Sequence, residues 1–333
     1  MSGAPAAAPV VRHPVTMTVA HQDVLDALVA GGVPDGVRLF LWDAAAPLAD
    51  RVHSVGVRPE EVDVVVVPHY GATRSLLLRV AELPRLSVVQ LPSAGYEHAL
   101  AHLRADLTVC NGRGVHDAGT AELAVGLALA AQRGIDDAVR DAASGTWAPR
   151  LRSSLADRRV MVLGFGAIGA AVARRLEAFE AEVVPVASTA REESGRSVHG
   201  VADLPRLLPT VDVAIVTLPL TRATELLVDA GFLAALPDGA LLVNVGRGRV
   251  VDTQALLAEL ESGRLRAALD VTDPEPLPPD HPLWRAPGTI ITPHVGGYTD
   301  ATTPRLAELL RRQLVELVAG RPPLNVVRPG TRT

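Results

Sequence analysis

Lysine is absent from the sequence, so all 32 residues of the combined lysine and arginine count are arginines. An enzyme that works through a Schiff base needs a lysine amine, and a P-loop NTPase or a protein kinase needs one beside the transferred phosphate. The sequence therefore excludes these three classes of enzyme.

Cysteine is almost as scarce, because Cys110 is the single thiol among 333 residues. One thiol excludes an intrachain disulfide and a zinc site built from cysteines, and we expect no metal site. A low cysteine content fits the reducing cytoplasm, which is the location we expect. Residues 1–9 lack the basic segment and apolar core of a signal peptide. No uncharged apolar stretch reaches the ~18 residues of a membrane span, so no membrane association is expected.

The charge balance gives no sign of a polyanionic partner. The net charge is −5, and aromatic residues, at 3% of the chain, do not alternate with basic runs. We therefore expect a small-molecule partner and no nucleic acid. The length and a hydrophobic content of 48% predict a folded protein of two domains.

Short apolar runs alternate with helical patterns along most of the chain. Strands are predicted at 37–42, 62–67, 88–91, 160–163, 183–186, 214–218, 240–244, 267–271 and 289–292. Helices are predicted at 75–83, 120–133, 168–179, 224–236, 252–262 and 303–319. Asp252 and Gly263 are the residue types of a helix N-cap and C-cap. The alternation predicts an α/β fold with a Rossmann-type, doubly wound parallel sheet.

A glycine-rich loop, GFGAIG at 164–169, follows the predicted strand 160–163 and opens a helix. In a dinucleotide site Gly164 would make the tight turn, Gly166 would let the backbone approach the pyrophosphate, and Gly169 would pack helix on strand. The N–H groups at the start of the helix would then bind the anion. The alternative is an ordinary glycine-rich turn between a strand and a helix.

The end of the next strand bears on the choice of cofactor. The acid that binds the ribose 2′-hydroxyl of NAD is missing, because Ala187 stands at that position. Ser188, Thr189 and Arg191 follow, and hydroxyl groups with an arginine would accept a 2′-phosphate. This pattern favours NADP(H) and leaves NAD(H) possible, the alternative being a solvated turn that tolerates both.

Three polar segments, 244–248, 270–276 and 292–297, lie at the carboxyl ends of consecutive predicted strands, where open α/β sheets bind ligands. Arg247 can hold the carboxylate of a 2-keto acid and polarise its keto oxygen. His294 can protonate that oxygen as hydride arrives. Glu275 can accept a hydrogen bond from the other ring nitrogen and favour the imidazolium. Taken singly, His294 could merely close a turn and Glu275 could be solvated.

These segments resemble the D-isomer-specific 2-hydroxyacid dehydrogenase family, and the resemblance covers most of the chain. The matching segments are LPSAGYEHA (91–99), TAELAVGLALAAQR (120–133), GFGAIG (164–169), TLPLTRAT (217–224), NVGRGRVVD (244–252), ALDVTDPEPL (268–277) and TPHVGG (292–297). The family often has Val-Asp where Tyr96 and Glu97 stand here. The resemblance implies hydride transfer between the nicotinamide C4 and C2 of a small D-2-hydroxy acid or 2-keto acid, with glyoxylate or hydroxypyruvate favoured.

The resemblance also implies an arrangement of domains and a set of ligand contacts. Residues 108–299 would form the cofactor domain, inserted in a flavodoxin-like substrate domain of residues 1–107 and 300–333, and the protein would be a homodimer. Arg247, Glu275 and His294 would be catalytic, and Asp270 would contact the nicotinamide carboxamide. The substrate contacts would be Tyr70, Ser93, Ala94, Gly95, Arg247 and His294. The cofactor contacts would be Gly164, Gly166, Ala167, Ile168, Gly169, Ser188, Thr189, Arg191, Leu218, Pro219, Val245, Gly246, Arg247, Asp270, His294, Gly296 and Gly297.

Two other functions are compatible with the same scaffold. A formate-type enzyme would resemble a version with glutamine at position 275, and a phosphite-type enzyme would need more basic residues than Arg74 near the substrate. A dinucleotide-sensing binding protein could retain Arg247, Glu275 and His294 without turnover.

Overall fold

The computed structural model describes residues 14–42, 57–69, 74–81, 83–193 and 195–331. It divides into two compact units, one of residues up to His116 together with those from Asp300, the other of Asp117–Thr299. The predicted boundary at 107/108 differs, because strand Thr108–Cys110 pairs with Val88–Gln90 of the first unit. Among the residues that the structure describes, none of the helices combines the length and the apolar character of a membrane span.

The strands are β1 (Val15–Val19), β2 (Val37–Leu41), β3 (Val64–Val66), β4 (Val88–Gln90), β5 (Thr108–Cys110), β6 (Arg159–Leu163), β7 (Glu182–Ala187), β8 (Arg191–Glu193), β9 (Arg196–Gly200), β10 (Val213–Val216), β11 (Leu241–Asn244), β12 (Arg266–Leu269), β13 (Thr289–Ile291) and β14 (Val326–Arg328). The helices are α1 (Gln22–Ala30), α2 (Arg74–Ala81), α3 (Glu97–Leu100), α4 (Asp117–Arg133), α5 (Ile135–Ala143), α6 (Ala167–Glu177), α7 (Leu204–Leu207), α8 (Ala230–Ala235), α9 (Thr253–Glu261) and α10 (Thr302–Val318).

The first unit contains a sheet with the order β14-β5-β4-β3-β1-β2. The strands from β1 to β5 are parallel and follow the flavodoxin order, while β14 joins the edge antiparallel to β5. One face of the sheet packs against α1 and α10, whose buried residues include Leu28, Leu310 and Leu314. The expected flavodoxin-like domain is thus present.

The second unit contains a sheet with the order β13-β12-β11-β10-β6-β7-β9-β8. The strands are parallel except for β8, which runs antiparallel to β9. The chain winds outward from β6 in one direction and from β10 in the other, so the order reverses between these two strands. This is the doubly wound arrangement, and ligands of such sheets bind at the carboxyl ends of the strands beside the reversal.

Core packing explains why α4 is apolar on most of its surface. Its buried residues, among them Ala121, Ala124 and Ala128, form one cluster with Val160 and Val162 of the central strand β6. The small side chains let the helix approach the sheet and α6 closely. The predicted helix 120–133 is confirmed and begins three residues earlier, at Asp117.

The sequence predicted the ends of α9 correctly but placed the start of α8 too early. The side chain of Asp252 accepts hydrogen bonds from the backbone of Gln254 and Ala255, and Gly263 has a left-handed φ of 73° just after the helix, as predicted. The predicted helix 224–236 is wrong in its first half, since α8 begins only at Ala230. Val228 bridges to Val251, and this tertiary pairing holds the preceding residues outside the helix.

Candidate active site

The glycine loop after β6 has the geometry that a dinucleotide requires. Gly164 has a φ of 109°, and α6 begins at Ala167 with Gly166 as its N-cap. A Cβ at Gly169 would lie 2.2 Å from the carbonyl oxygen of Gly164, whereas one at Gly166 would meet nothing within 4 Å. Gly169 therefore permits the contact of helix and turn, and Gly166 leaves the open space that a pyrophosphate would fill.

The loop after β10 contacts the glycine loop at the carboxyl ends of the strands. The Thr217 hydroxyl donates a hydrogen bond of 2.6 Å to the carbonyl oxygen of Gly164. A Cβ at Gly246 would lie 2.6 Å from the carbonyl oxygen of Leu218, so the loops after β10 and β11 are also in contact. The predicted cofactor residue Leu218 thus lies beside the glycine loop at the reversal of strand order, Pro219 follows it in the same loop, and Val245 follows the neighbouring strand β11.

Beyond β7, the hydroxyl residues Ser188 and Thr189 are exposed, as a 2′-phosphate site requires. Arg191, on β8, donates a hydrogen bond of 2.9 Å from Nη2 to the carbonyl oxygen of Phe165 in the glycine loop. Its Nε also donates to Glu193, at 2.8 Å. The arginine is therefore at the glycine loop, and its carboxylate partner was not predicted from the sequence.

Arg247 is placed by a turn that its neighbours build. The Asn244 side chain accepts a hydrogen bond from the N–H of Gly246 and donates one to the carbonyl oxygen of Arg247. A Cβ at Gly248 would lie 1.9 Å from the carbonyl oxygen of Thr272, so only glycine fits where this turn meets the loop after β12. The half-buried guanidinium of Arg247 is close enough to lower the pKa of both Glu275 and His294 through its charge.

His294 and Glu275 are in direct contact although 19 residues separate them in sequence. Nδ1 of His294 lies 2.5 Å from Oε1 of Glu275, and each side chain is about half exposed. His294 has a φ of 55°, which is uncommon for a bulky residue. Its backbone N–H donates to the carbonyl oxygen of Asp270, at 2.8 Å, which helps to hold it in this conformation. With Nδ1 engaged, Nε2 is the ring nitrogen left for a ligand.

The pair favours its charged forms. The hydrogen bond to Glu275 raises the pKa of His294, against the opposing effects of burial and of Arg247. Burial opposes ionisation of Glu275, but the hydrogen bond and charge of His294, together with the Thr272 backbone and the charge of Arg247, outweigh it and lower the pKa of this carboxyl. An imidazolium held by a carboxylate is a suitable proton donor to an oxygen that gains charge.

Asp270 is a buried support for the loop that carries His294. One carboxylate oxygen accepts hydrogen bonds from the Thr292 hydroxyl, at 2.6 Å, and the N–H of Val295, at 2.9 Å. The other oxygen accepts from the N–H of Gly296, at 2.9 Å. These contacts were not predicted from the sequence, which pointed to the nicotinamide carboxamide as the partner of Asp270.

In the first unit, the loop after β4 is fixed by its own hydrogen bonds. The Ser93 hydroxyl donates to the carbonyl oxygen of Gly95, at 2.8 Å, and the Asn111 side chain donates to that of Ala94, at 2.7 Å. This loop lies at the carboxyl edge of its sheet, where predicted substrate contacts belong. Tyr70, also predicted as a substrate contact, lies outside the described residues.

Comparison with known proteins identifies the family. The sequence model of "D-isomer specific 2-hydroxyacid dehydrogenase, NAD binding domain" matches residues 125–296. A glyoxylate reductase of Korarchaeum cryptofilum is 30% identical over 306 residues, which cover 89% of this chain and 91% of the relative. A glyoxylate reductase of Thermofilum pendens is 32% identical over 259 residues, with 73% and 75% covered.

Solved structures agree over nearly the whole chain. A D-isomer specific 2-hydroxyacid dehydrogenase from Xanthobacter autotrophicus Py2, in complex with NADPH and MES, superposes with a TM-score of 0.78 at 31% identity. The match covers 95% of this chain and 98% of that one. The chain belongs to the D-isomer-specific 2-hydroxyacid dehydrogenase family, and it is an NAD(P)-dependent oxidoreductase that acts on the CH–OH group of its donors.

Proposed function

We propose that the protein reduces a small 2-keto acid, with glyoxylate or hydroxypyruvate favoured, and catalyses the reverse oxidation of the D-2-hydroxy acid. The observation that carries this proposal is the 2.5 Å contact between His294 and Glu275, with the charge of Arg247 acting on both. The relatives named glyoxylate reductases support the choice of substrate.

The three side chains divide the chemistry between them. Arg247 binds the substrate carboxylate and polarises the keto oxygen through its planar set of N–H donors. His294 donates a proton from Nε2 to that oxygen, and Glu275 keeps the ring oriented and charged. When bound, a reduced nicotinamide would supply the hydride that C2 receives. In the oxidation, neutral His294 accepts the proton of the hydroxyl group.

The cofactor we propose is NADP(H), with NAD(H) as a weaker alternative. The open space at Gly166 and the helix start at Ala167 suit the pyrophosphate. Ser188, Thr189 and Arg191 carry the hydrogen-bond donors for a 2′-phosphate, and no acid stands at Ala187 to repel it. The relative from Xanthobacter autotrophicus Py2 binds NADPH.

The remaining contacts follow from the family resemblance. Asp270, Gly296 and Gly297 are proposed to lie at the nicotinamide end of the cofactor. The backbone N–H groups of Ser93, Ala94 and Gly95, together with Tyr70, are proposed to bind substrate. These roles and the cytoplasmic location stay predictions.

A homodimer is the assembly we propose. Ile135 and Val139 lie one helical turn apart on α5 and are 50% and 65% exposed, and Trp147 further along is 95% exposed. Large apolar side chains exposed together indicate a surface that another subunit covers.

The test is to mix the protein with NADPH or NADH and a panel of 2-keto acids and to follow the absorbance of the reduced nicotinamide. We expect oxidation of NADPH with glyoxylate or hydroxypyruvate, and slower oxidation of NADH. Tight cofactor binding without turnover across the panel would favour a dinucleotide sensor instead. Activity with formate or phosphite and the oxidised cofactor, but with no keto acid, would favour those reactions.

A further inference from the structure

The guanidinium of Arg191 is already engaged by a carboxylate. Arg191 and Glu193 are two residues apart on β8, so their side chains lie on the same face of the strand. Nε and Nη2 of Arg191 lie 2.8 and 2.5 Å from the same oxygen of Glu193. Nη2 also donates to the carbonyl oxygen of Phe165 in the glycine loop. The Glu193 carboxylate is therefore held beside the loop expected to bind the cofactor phosphates.

On the described part of this hairpin, the charged neighbours of Arg191 are either already paired or acidic. Arg196, on β9, forms an ion pair with Glu177 of α6. Glu192 lies between Arg191 and Glu193 and projects from the opposite face of the strand. Among the described residues of this hairpin, Arg191 is thus the cation offered to a phosphate bound at Ser188 and Thr189, and that phosphate must share Arg191 with Glu193.

We propose that Glu193 is a specificity-determining residue that selectively weakens the binding of NADPH and so narrows the preference between the two cofactors. The proposal rests on the proposed binding of a nicotinamide dinucleotide. A 2′-phosphate competes with the Glu193 carboxylate for the same nitrogen atoms, and the two anions repel each other once both are near Arg191. NADH carries a neutral hydroxyl there, so its binding does not require Arg191 to leave Glu193.

The test is to measure the Kd of NADPH and of NADH for the purified protein and its variants by quenching of intrinsic fluorescence. Glu193→Gln removes the exposed ion pair with Arg191 and the negative charge near the 2′-phosphate, and we expect the Kd of NADPH to fall about threefold to fivefold. The Kd of NADH should stay within about twofold. Glu192→Gln removes the same charge from the opposite face of β8, and its effect on either cofactor should be below about twofold.

A double-mutant cycle tests whether Glu193 affects the binding of NADPH through Arg191. In the Arg191→Ala background, Glu193→Gln should tighten the binding of NADPH by less than about twofold, because the shared cation is gone and only the solvent-screened repulsion between the two anions remains. Equal effects of Glu193→Gln and Glu192→Gln on NADPH, or no effect of either, would overturn the inference while leaving the proposed function intact. If the unaltered protein binds neither nucleotide, both the proposed function and this inference are wrong.

Discussion

Nδ1 of His294 is hydrogen-bonded to Oε1 of Glu275, and the two groups shift each other's pKa in opposite directions. The pKa of the histidine lies above its usual value and the pKa of the carboxyl lies below its usual value. The pH range in which the imidazolium–carboxylate pair exists is therefore wider at both its acidic and its basic end. A protonated ring at neutral pH is what keto-acid reduction needs, whereas oxidation needs the ring neutral.

Substitution of His294 by alanine should remove the proton donor and leave the cofactor edge intact. We expect the turnover number to fall about 10²–10⁴-fold, the range contributed by a general acid. The glycine loop and Arg191 do not depend on the ring, so the Kd of NADPH should change by less than about threefold. Steady-state kinetics and a fluorescence titration check the two parts. Loss of NADPH binding in this variant would contradict the role of proton donor.

The pH dependence of the reduction should follow His294. The protonated ring is the active form, so kcat/KM should fall as the pH rises through the raised pKa of His294. In Glu275→Gln the hydrogen bond to a carboxylate is lost, and this limb should move to lower pH, towards the ordinary value of about 6.5. The oxidation should show the opposite slope, since it uses the neutral ring. The measurement is the pH-rate profile of each protein. If the fall of kcat/KM occurs at the same pH in Glu275→Gln as in the unaltered protein, Glu275 does not raise the pKa of His294.

Arg247 should not tolerate replacement by lysine. Lysine keeps the charge but loses the planar, two-pronged geometry for a carboxylate. We expect kcat/KM for the keto acid to fall about 10²-fold or more, which corresponds to the loss of one or two charge-assisted hydrogen bonds. Arg249→Lys is a matched control, because that exposed residue pairs with Glu225 nearby. Equal losses in both variants would show that Arg247 has no special contact with substrate.

The Asp270 carboxylate should matter for stability as well as for activity. In Asp270→Asn the amide NH2 must face a donor, since both carboxylate oxygens accept N–H groups. We expect the free energy of unfolding to fall by about 1–3 kcal/mol, together with a loss of turnover. Thr292→Val removes one hydroxyl contact and should cost only about 1 kcal/mol. Chemical denaturation monitored by fluorescence distinguishes the two, and a smaller effect of Asp270→Asn than of Thr292→Val would contradict this account.

The sequence predicted those strands whose residues form a continuous apolar run, and these strands were enough to predict the fold class. β3 is a run of valines buried on both faces, and such a run signals a central parallel strand directly. The hairpin of β8 and β9 gave no such signal, because its arginine, glutamate and serine residues have low strand propensity. β1 and β14 were also not predicted, since pairing with distant strands decides them.

At the site, motif spacing indicated which residue types meet but not how each is held. Segments at the ends of consecutive strands pointed to Arg247, Glu275 and His294 as neighbours. The bonds that support them connect Asp270 to Thr292 and Asn244 to its own turn, and such contacts depend on backbone geometry. The pairing of Glu193 with Arg191 was missed because an acid two residues from a base on an exposed strand looks like any solvated pair.

The placement of β14 and α10 has a consequence for the order of folding. The second unit is one continuous stretch of chain, Asp117–Thr299, so it has all of its strands before the last residues are synthesised. The first unit lacks the edge strand β14 and the leucines of α10 until residues 302–328 leave the ribosome. A chain released near residue 300 would therefore carry all the strands of the Rossmann sheet and an N-terminal sheet with one apolar face covered by α1 but not by α10, and such an exposed apolar surface is a substrate for chaperones.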